Sequence, residues 1–217
     1  MERRTIIGIG AFPAPALVDY ALGFAKGRRV LVDTTASPGY ADCAWPDEWN
    51  ADLTPLSFYP WPPEDLRELA LSHDAILVCG GNTANMLAVW RVHGFDKILR
   101  EAWESGIVLF GWSAGMICWF EAGVTDSYGP QVAGMGDGLG FLPGSACPHY
   151  DGEDSRRPTY QRLVADGFPP GLALDDAAAA RFNGTDLAEV VSGSPGAGGY
   201  RVEPTGETRL DSRELGV

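Results

Sequence analysis

The chain has 217 residues, of which 45% are hydrophobic, and we expect it to form one globular domain over residues 1–217. Its formal charge of −13 argues against nucleic acid or an anionic membrane as a partner, because both require a basic surface. No apolar stretch approaches the length of a membrane span, and no signal-peptide pattern follows Met1, so we expect a cytoplasmic protein.

The first half of the chain alternates short apolar runs with segments of helical character. In chain order, we predict strands at 5–9, 29–32, 75–79 and 106–110, and helices at 17–26, 63–71, 83–92 and 96–104. Residues 34–62, rich in Pro, Trp, Tyr and Asp, are predicted to form a long surface excursion with a short strand near Leu56. Apolar strands that alternate with helices indicate a mostly parallel sheet with both faces covered.

After residue 170 the pattern changes to short apolar runs at 172–174, 177–182, 188–191 and 199–202. We interpret these as short antiparallel strands that complete the same domain. Cys79 and Cys118 lie within apolar runs and are predicted to be buried free thiols. No Cys-x-x-Cys pair is present, and we expect neither a metal nor another cofactor.

The most informative motif is Gly-Trp-Ser-Ala-Gly at 111–115, which separates an apolar strand from an apolar run at 116–120 that is typical of a buried helix. A strand that turns sharply into a helix strains the residue at the corner and exposes its side chain at the carboxyl edge of the sheet. Side chains at Gly111 and Gly115 would crowd such a turn. The pattern therefore predicts Ser113 as a nucleophile, and a serine that caps an ordinary helix is the alternative.

A serine nucleophile needs a base, usually a histidine that is held by a carboxylate. Of the three histidines, His73 lies at the start of a strand, at the end of the sheet opposite the serine. His93 precedes Gly94 at the end of a helix, where a C-terminal cap explains it. By elimination His149 is the predicted base, and a solvent-exposed loop histidine is the alternative.

The carboxylate that would orient this histidine is less well defined by the sequence. Glu121 lies about two helical turns from Ser113 on the predicted helix, too far to meet a histidine that touches the serine. We prefer Asp126, which follows that helix. Asp137 and Asp151 remain open, and Asp151 is also a candidate for the lining of the substrate pocket.

A second motif, Gly-Gly-Asn-Thr at 80–83, ends a predicted strand and begins a helix. Two glycines at this position allow backbone N–H groups to face a developing oxyanion. We predict that Gly80 and Gly81 form an oxyanion hole with the N–H of Ala114, and that Asn82 and Thr83 contact the substrate. A plain turn in which Asn82 or Thr83 caps the helix is the alternative.

These two motifs, together with Pro148-His149, resemble peptidase family S51, the family of peptidase E and the cyanophycinases. The resemblance runs from about residue 5 to about residue 200, and Cys79 stands where the family usually has a further glycine. It implies a three-layer α/β sandwich with a mostly parallel central sheet, like class I glutamine amidotransferases, with serine replacing their cysteine. It also implies Ser113 as nucleophile, His149 as base and Asp126 as the third member.

The resemblance further implies a serine exopeptidase that is a monomer or homodimer and acts on short peptides, including dipeptides with an N-terminal Asp. In peptidase E an arginine after the histidine binds that side chain. Arg156 and Arg157 are the candidates here, with Arg162 in the same neighbourhood. A planar guanidinium suits the role because it binds a carboxylate through paired hydrogen bonds.

Two other functions fit part of the pattern. An α/β-hydrolase esterase shares the Gly-x-Ser-x-Gly turn, but its histidine usually lies near the C-terminus, whereas His149 lies far from it. A family member that binds a small ligand without catalysis is the other alternative. The presence of Ser113, His149 and Asp126 together argues against it.

Overall fold

The computed structural model describes residues 4–37 and 45–216, whose strands form one sheet of eight strands and one of six. The strands are β1 (Thr5–Ile9), β2 (Arg29–Asp33), β3 (Asp52–Leu56), β4 (Ala75–Val78), β5 (Val108–Trp112), β6 (Phe120–Thr125), β7 (Ala133–Met135), β8 (Leu142–Cys147), β9 (Gly171–Leu174), β10 (Ala178–Asn183), β11 (Asp186–Ser192), β12 (Gly199–Glu203), β13 (Gly206–Arg209) and β14 (Ser212–Glu214). The helices are α1 (Pro15–Leu22), α2 (Leu66–Leu71), α3 (Thr83–His93), α4 (Phe95–Glu104), α5 (Ala114–Ile117) and α6 (Arg156–Ala165), and a 3-10 helix spans Asp47–Trp49.

The larger sheet has the order β14-β11-β10-β1-β5-β4-β2-β3, and its strands from β1 to β3 in this order run parallel. Alternate residues of a strand point to opposite faces, and each face has its own core. Ile6 and Leu109 pack with helices α2 to α5 on one face. Ile7 and Phe110 pack with α1 and the 3-10 helix on the other. The parallel strands are therefore covered on both faces, as their continuous apolar character predicts.

The smaller sheet has the order β13-β12-β9-β8-β6-β7, with β6, β8 and β9 parallel at its centre. Its apolar side chains join the same core as one face of the larger sheet, where Leu142 and Leu174 lie with Ile6. The mixed α/β architecture with a large, mostly parallel sheet agrees with the sequence-based prediction. The antiparallel pairing predicted after residue 170 is present for β10 with β11 and for β9 with β12. The second sheet was not predicted, since it requires β9 to pair also in parallel with β8.

The apolar run at 116–120 is not one helix. Helix α5 ends at Ile117, and Phe120 already begins β6. Residues 118 and 119 form a turn, and the carbonyl of Trp119 accepts hydrogen bonds from the backbone N–H groups of Phe141 and Leu142, at 2.8 and 2.9 Å. Periodicity does not distinguish a short buried strand from a buried helix.

The described cysteines are buried and form no disulfide, which confirms the prediction for Cys79 and Cys118. Burial raises the pKa of the Cys118 thiol well above its usual value, so this thiol is unreactive. Cys43 lies outside the described residues. Across the described ranges, no helix combines the length and apolar character needed to span a bilayer.

Candidate active site

Ser113 lies at the corner between β5 and α5, at the carboxyl edge of the larger sheet. Its backbone has φ 54° and ψ −111°, which a residue with a side chain rarely adopts, and its hydroxyl makes no capping hydrogen bond. A Cβ at Gly111 or Gly115 would lie 2.4 or 2.1 Å from the carbonyl oxygen of Val78, so only glycine permits this corner. The sharp turn predicted from the motif is present, and the helix-cap alternative is not.

The Gly80-Gly81 turn follows β4 beside this corner. Gly81 has φ 135°, and a Cβ there would lie 2.3 Å from the carbonyl oxygen of Ala36. The same carbonyl accepts a hydrogen bond of 2.9 Å from the N–H of Asn82, so the segment after β2 supports the turn. Among the turn and loop hydrogen bonds of the described residues, none uses the N–H of Gly81 or Ala114.

His149 follows β8 and also has a positive φ, of 55°. Its Nδ1 lies 2.8 Å from Oδ1 of Asp176, which follows β9. Because β8 and β9 are parallel neighbours, their carboxyl ends meet at one edge of the sheet and bring these side chains together. Asp151 accepts a hydrogen bond of 2.7 Å from the backbone N–H of Asp176. Asp151 thus positions the Asp176 backbone, and it is absent from the described lining of the cavity beside Ser113.

The expected contact of Asp126 with the imidazole of His149 is wrong, since Asp176 occupies that position. Asp126 follows β6, which pairs with β8 on the side opposite β9. Its carboxylate lies 3.8 Å from Nη2 of Arg156 and faces the same cavity as His149. Asp137, also left open by the sequence, is bound by Arg91 at 2.7 Å and lies outside the described lining of that cavity.

The cavity beside Ser113 has two lobes. The first lobe, of about 220 Å³, is lined by Gly81, Asn82, Ser113, Asp126, His149, Glu153 and Arg156. The second lobe, of about 340 Å³, is lined by Ala11, Phe12, Ser37, Gly80, Gly81, Trp112, Ser113, His149 and Asp176. Ser113, His149 and Gly81 belong to both lobes and form the junction between them. Ser113 and His149 thus line the same two lobes, and no hydrogen bond between their side chains is found among those of the described residues.

Asn82 and Thr83, predicted to contact substrate, mainly hold a neighbouring loop. Asn82 caps α3, since its Oδ1 accepts from the N–H of Asn85 at 2.9 Å, and its Nδ2 donates to the carbonyl of Ser127 at 3.0 Å. Thr83 is buried, with its hydroxyl 3.5 Å from that of Thr125. These contacts hold the loop after Asp126 against the Gly80-Gly81 turn. Of Asn82 and Thr83, only Asn82 is among the residues that line the first lobe.

Arg156 is the cation of the first lobe. Its side chain is only 3% exposed, and its Nε donates to Oε2 of Glu153 at 2.6 Å. Nη1 donates to the carbonyl of Val124 at 2.7 Å. The guanidinium therefore has a fixed orientation, with Nη2 3.8 Å from Oδ1 of Asp126.

The other two arginines do not reach this site. Arg157 binds Glu207 on β13, and its guanidinium lies 4.9 Å from the centre of the Tyr200 ring. Arg162 is exposed and lies 3.6 Å from Asp166 on the same helix. Of the three candidates from the sequence, only Arg156 is positioned to bind a ligand beside Ser113.

Asp33, the last residue of β2, is completely buried. Its Oδ1 accepts hydrogen bonds from the N–H and the hydroxyl of Thr35, while Oδ2 has no partner among the described residues. Burial raises the pKa of Asp33 from 3.8 to about 6, and the Thr35 hydrogen bonds offset only part of this effect. The folded protein therefore binds this proton more tightly than the unfolded chain does.

Asp33 should consequently make stability decrease as the pH rises. The contribution of Asp33 to the free energy of unfolding is complete below the pKa that Asp33 has in the unfolded chain. It falls by on the order of 3 kcal/mol between about pH 4 and pH 6. Replacing Asp33 with Asn should remove this part of the pH dependence. Urea unfolding of both proteins between pH 4 and pH 7 measures the difference, and parallel curves would contradict the assignment.

Known proteins share sequence and fold with this chain. The model of peptidase family S51 matches residues 45–190. An uncharacterized peptidase of Bacillus subtilis strain 168, YgaJ, is 51% identical over 148 residues, or 68% of this chain and 64% of that protein. A peptidase E of Shewanella denitrificans is 27% identical over 133 residues, or 57% of each chain. Both matches thus span less than two thirds of the relative's length.

Solved structures share the fold at lower sequence identity. A candidate peptidase E protein from Listeria monocytogenes EGD-e has a TM-score of 0.63 at 17% identity, covering 96% of this chain and all of that chain. A peptidase from an acI-B1 actinobacterium has the same TM-score and identity, covering 96% of this chain and 94% of that chain. These similarities concern the fold alone.

Proposed function

Since this chain belongs to peptidase family S51, we propose that it is a serine exopeptidase that hydrolyses short peptides, including dipeptides with an N-terminal Asp. One observation carries the proposal. A strained serine and a histidine bound to a carboxylate, Ser113 and the His149–Asp176 pair, line one cavity. We propose Asp176, in place of Asp126, as the third member of a Ser-His-Asp acyl-enzyme mechanism.

In the first half of the reaction, Oγ of Ser113 attacks the carbonyl carbon of the peptide bond, and Nε2 of His149 takes the hydroxyl proton. Asp176 accepts from Nδ1–H and so stabilises the imidazolium and its orientation. The carbonyl oxygen becomes an oxyanion, which the N–H groups of Gly81 and Ala114 would bind. Collapse of this intermediate breaks the C–N bond, and His149 returns the proton to the leaving amine.

The second half repeats these roles with water. His149 takes a proton from the water molecule that attacks the acyl ester of Ser113. The ester bond breaks, the proton passes to Oγ, and the acid product leaves.

The charges of the first lobe support an exopeptidase. Asp126 and Glu153 place two carboxylates beside the nucleophile, where they would bind the α-ammonium group of an N-terminal residue. Arg156, which lies beside both carboxylates, would bind the side-chain carboxylate of the same substrate residue. This lobe would therefore hold the acyl part of the substrate, with its free amino group.

Labelling with a fluorophosphonate probe tests the nucleophile, and a substrate panel tests the reaction class. We expect the probe to label wild-type protein and not the Ser113→Ala variant. Among Asp-X dipeptides, N-acetylated Asp-X peptides and simple esters, the free dipeptides should be hydrolysed best. Turnover of esters alone would favour an esterase, and equal rates with and without the acetyl group would contradict an exopeptidase.

Replacing Arg156 with Lys should raise KM for Asp-X by about tenfold relative to Ala-X. Lysine keeps the charge and fills the buried position, but it cannot form the paired hydrogen bonds of a guanidinium. Steady-state kinetics on both dipeptides gives the ratio. Arg157→Lys is the matched control, since Arg157 binds Glu207 away from the cavity. A similar KM change for both dipeptides in Arg156→Lys would show that Arg156 does not recognise the Asp side chain of the substrate.

A further inference from the structure

The segment at the end of β1 connects the nucleophile with the carboxylate beside the base. The backbone N–H of Ser113 donates to the carbonyl of Ile9 at 3.2 Å, and the N–H of Ala11 donates to the carbonyl of Asp176 at 3.1 Å. Gly10 lies between these two hydrogen bonds. Residues 9–11, which we call the bridge, therefore join Ser113 to Asp176 through three consecutive residues and two hydrogen bonds.

The bridge also contacts the turn that carries Asp176. This turn leads from β9 of the smaller sheet to β10 of the larger sheet, and the N–H of Ala178 closes it by donating to the carbonyl of Asp175 at 3.0 Å. The N–H of Gly10 donates to the carbonyl of Ala178, also at 3.0 Å. The bridge is thus bound to the turn at two points, and a movement of the turn relative to β1 would disturb both.

A residue with a side chain does not fit at position 10. Gly10 is buried, and a Cβ there would lie 2.0 Å from the carbonyl oxygen of Asp175 and 3.2 Å from Cα of Asp176. The oxygen belongs to the backbone, so it cannot rotate away as the end of a side chain could. A larger residue would consequently push the turn, and Asp176 with it, away from β1. Ser113 would stay in place, because β1 pairs with β5 up to the residue before it.

The base would move with the displaced turn. The carboxylate of Asp176 binds Nδ1 of His149, and its N–H donates to Asp151. A Cβ at Gly152 would lie 2.1 Å from Oδ2 of Asp176, so the chain after His149 packs directly on this carboxylate. Proton transfer requires Ser113 and the imidazole to come within hydrogen-bond reach, and a misplacement of about 1 Å can lower the rate about 100-fold.

We infer that Gly10 is a positioning residue, and that the bridge sets the separation of Ser113 from the His149–Asp176 pair. The inference rests on the proposed function, from which it takes the roles of these three side chains. Gly10 acts through the close approach that it permits between β1 and the turn. It is absent from the described lining of the first lobe, so binding of the acyl residue should not depend on it.

Gly10→Ala tests the bridge, and Gly171→Ala is the matched control. A Cβ at Gly171 would lie 1.9 Å from the carbonyl oxygen of Ser145, a backbone contact as close as that at Gly10, but at the end of β9 opposite to Asp176. Both variants should therefore lose stability, measured as the midpoint of thermal unfolding. We expect the rate constant for fluorophosphonate labelling of Ser113 to fall about 100-fold in Gly10→Ala and by less than about threefold in Gly171→Ala.

The final extent of labelling separates positioning from damage to the fold. A displaced base slows every molecule, so Gly10→Ala should label completely at the lower rate. Its kcat on Asp-X dipeptides should fall while KM stays close to the wild-type value. Incomplete labelling at the wild-type rate would indicate a partly unfolded sample and would overturn the inference. An equal loss of rate in Gly10→Ala and Gly171→Ala would overturn it as well.

Ala11→Pro is the second variant, for use if Gly10→Ala does not fold. Proline has no N–H, so the hydrogen bond to Asp176 is lost while the contact of Gly10 with the turn remains. We expect complete labelling at a rate lower by about fivefold, the effect of one hydrogen bond. An unchanged rate in this variant would contradict the role of the bridge.

Labelling also separates this inference from the proposed function, because it needs an activated serine and no peptide. Wild-type protein that labels but hydrolyses no peptide would refute the exopeptidase alone. Wild-type rates of both labelling and peptide hydrolysis in Gly10→Ala would refute the bridge alone. Wild-type protein that does not label at Ser113 would refute both.

Discussion

Replacing Ser113 with Ala should lower kcat on peptide substrates by about 10⁴-fold or more, while KM changes little. The hydroxyl oxygen is the atom that forms the acyl-enzyme, and no other described side chain at the junction of the two lobes is a substitute nucleophile. Steady-state kinetics on purified wild-type and variant protein gives the ratio. The cavity, Asp126 and Arg156 are unchanged by the substitution, so substrate should still bind.

Two controls make this result interpretable. Ala at a position with φ 54° is as strained as Ser, so the thermal unfolding midpoint should stay close to the wild-type value. Ser37→Ala removes a second hydroxyl that lines the cavity and should retain most of the activity. Wild-type turnover by pure Ser113→Ala protein would rule out the acyl-enzyme mechanism.

The second large effect is expected at Asp176. Its replacement by Asn should lower kcat on the order of 10³–10⁴-fold, because an amide that donates to Nδ1 favours the wrong tautomer of His149. The expected change in KM is small, since Asp176 touches the histidine and not the acyl residue. Kinetics at several pH values, together with NMR of the imidazole nitrogens, measures both the rate and the tautomer.

Asp126→Asn is the matched comparison for this prediction. Asp126 lines the first lobe beside Arg156, whereas the described carboxylate on Nδ1 of His149 is that of Asp176, so the loss of Asp126 should act mainly on KM. A larger loss of kcat in Asp126→Asn than in Asp176→Asn would restore the assignment made from the sequence. The two variants differ from wild type by the same chemical change, which isolates the effect of position.

The sharp turn at Ser113 and the place of His149 beside it were predictable because their signals are local. The carbonyl of Val78 leaves no room for a side chain at Gly111 or Gly115. The sharp turn at Ser113 is therefore recognisable in the sequence from its two flanking glycines. With three histidines, elimination was enough to select His149. The parallel strands of the larger sheet were predictable for a similar reason, since burial on both faces produces unbroken apolar runs.

The carboxylate and the cation were not predictable, because they depend on strand order. Asp175 and Asp176 directly follow the run at 172–174, and a parallel pairing of that run with the strand before His149 would have pointed to them. Three or four residues do not reveal the direction of their partner. Likewise, Arg156 and Arg157 are adjacent in the sequence, and only the packing of α6 decides which one is buried at the cavity.

The division of the site between two sheets has a consequence for how activity can be lost. Ser113 and Gly81 follow strands of the larger sheet, whereas His149 and Asp176 follow strands of the smaller one. The two sheets meet through a shared core, where the ring centres of Phe120 and Phe182 lie 5.6 Å apart. A small shift at this contact would change the separation of nucleophile and base without disturbing either half. Mutations far from the cavity can therefore abolish turnover in a chain that remains folded and still binds its ligand.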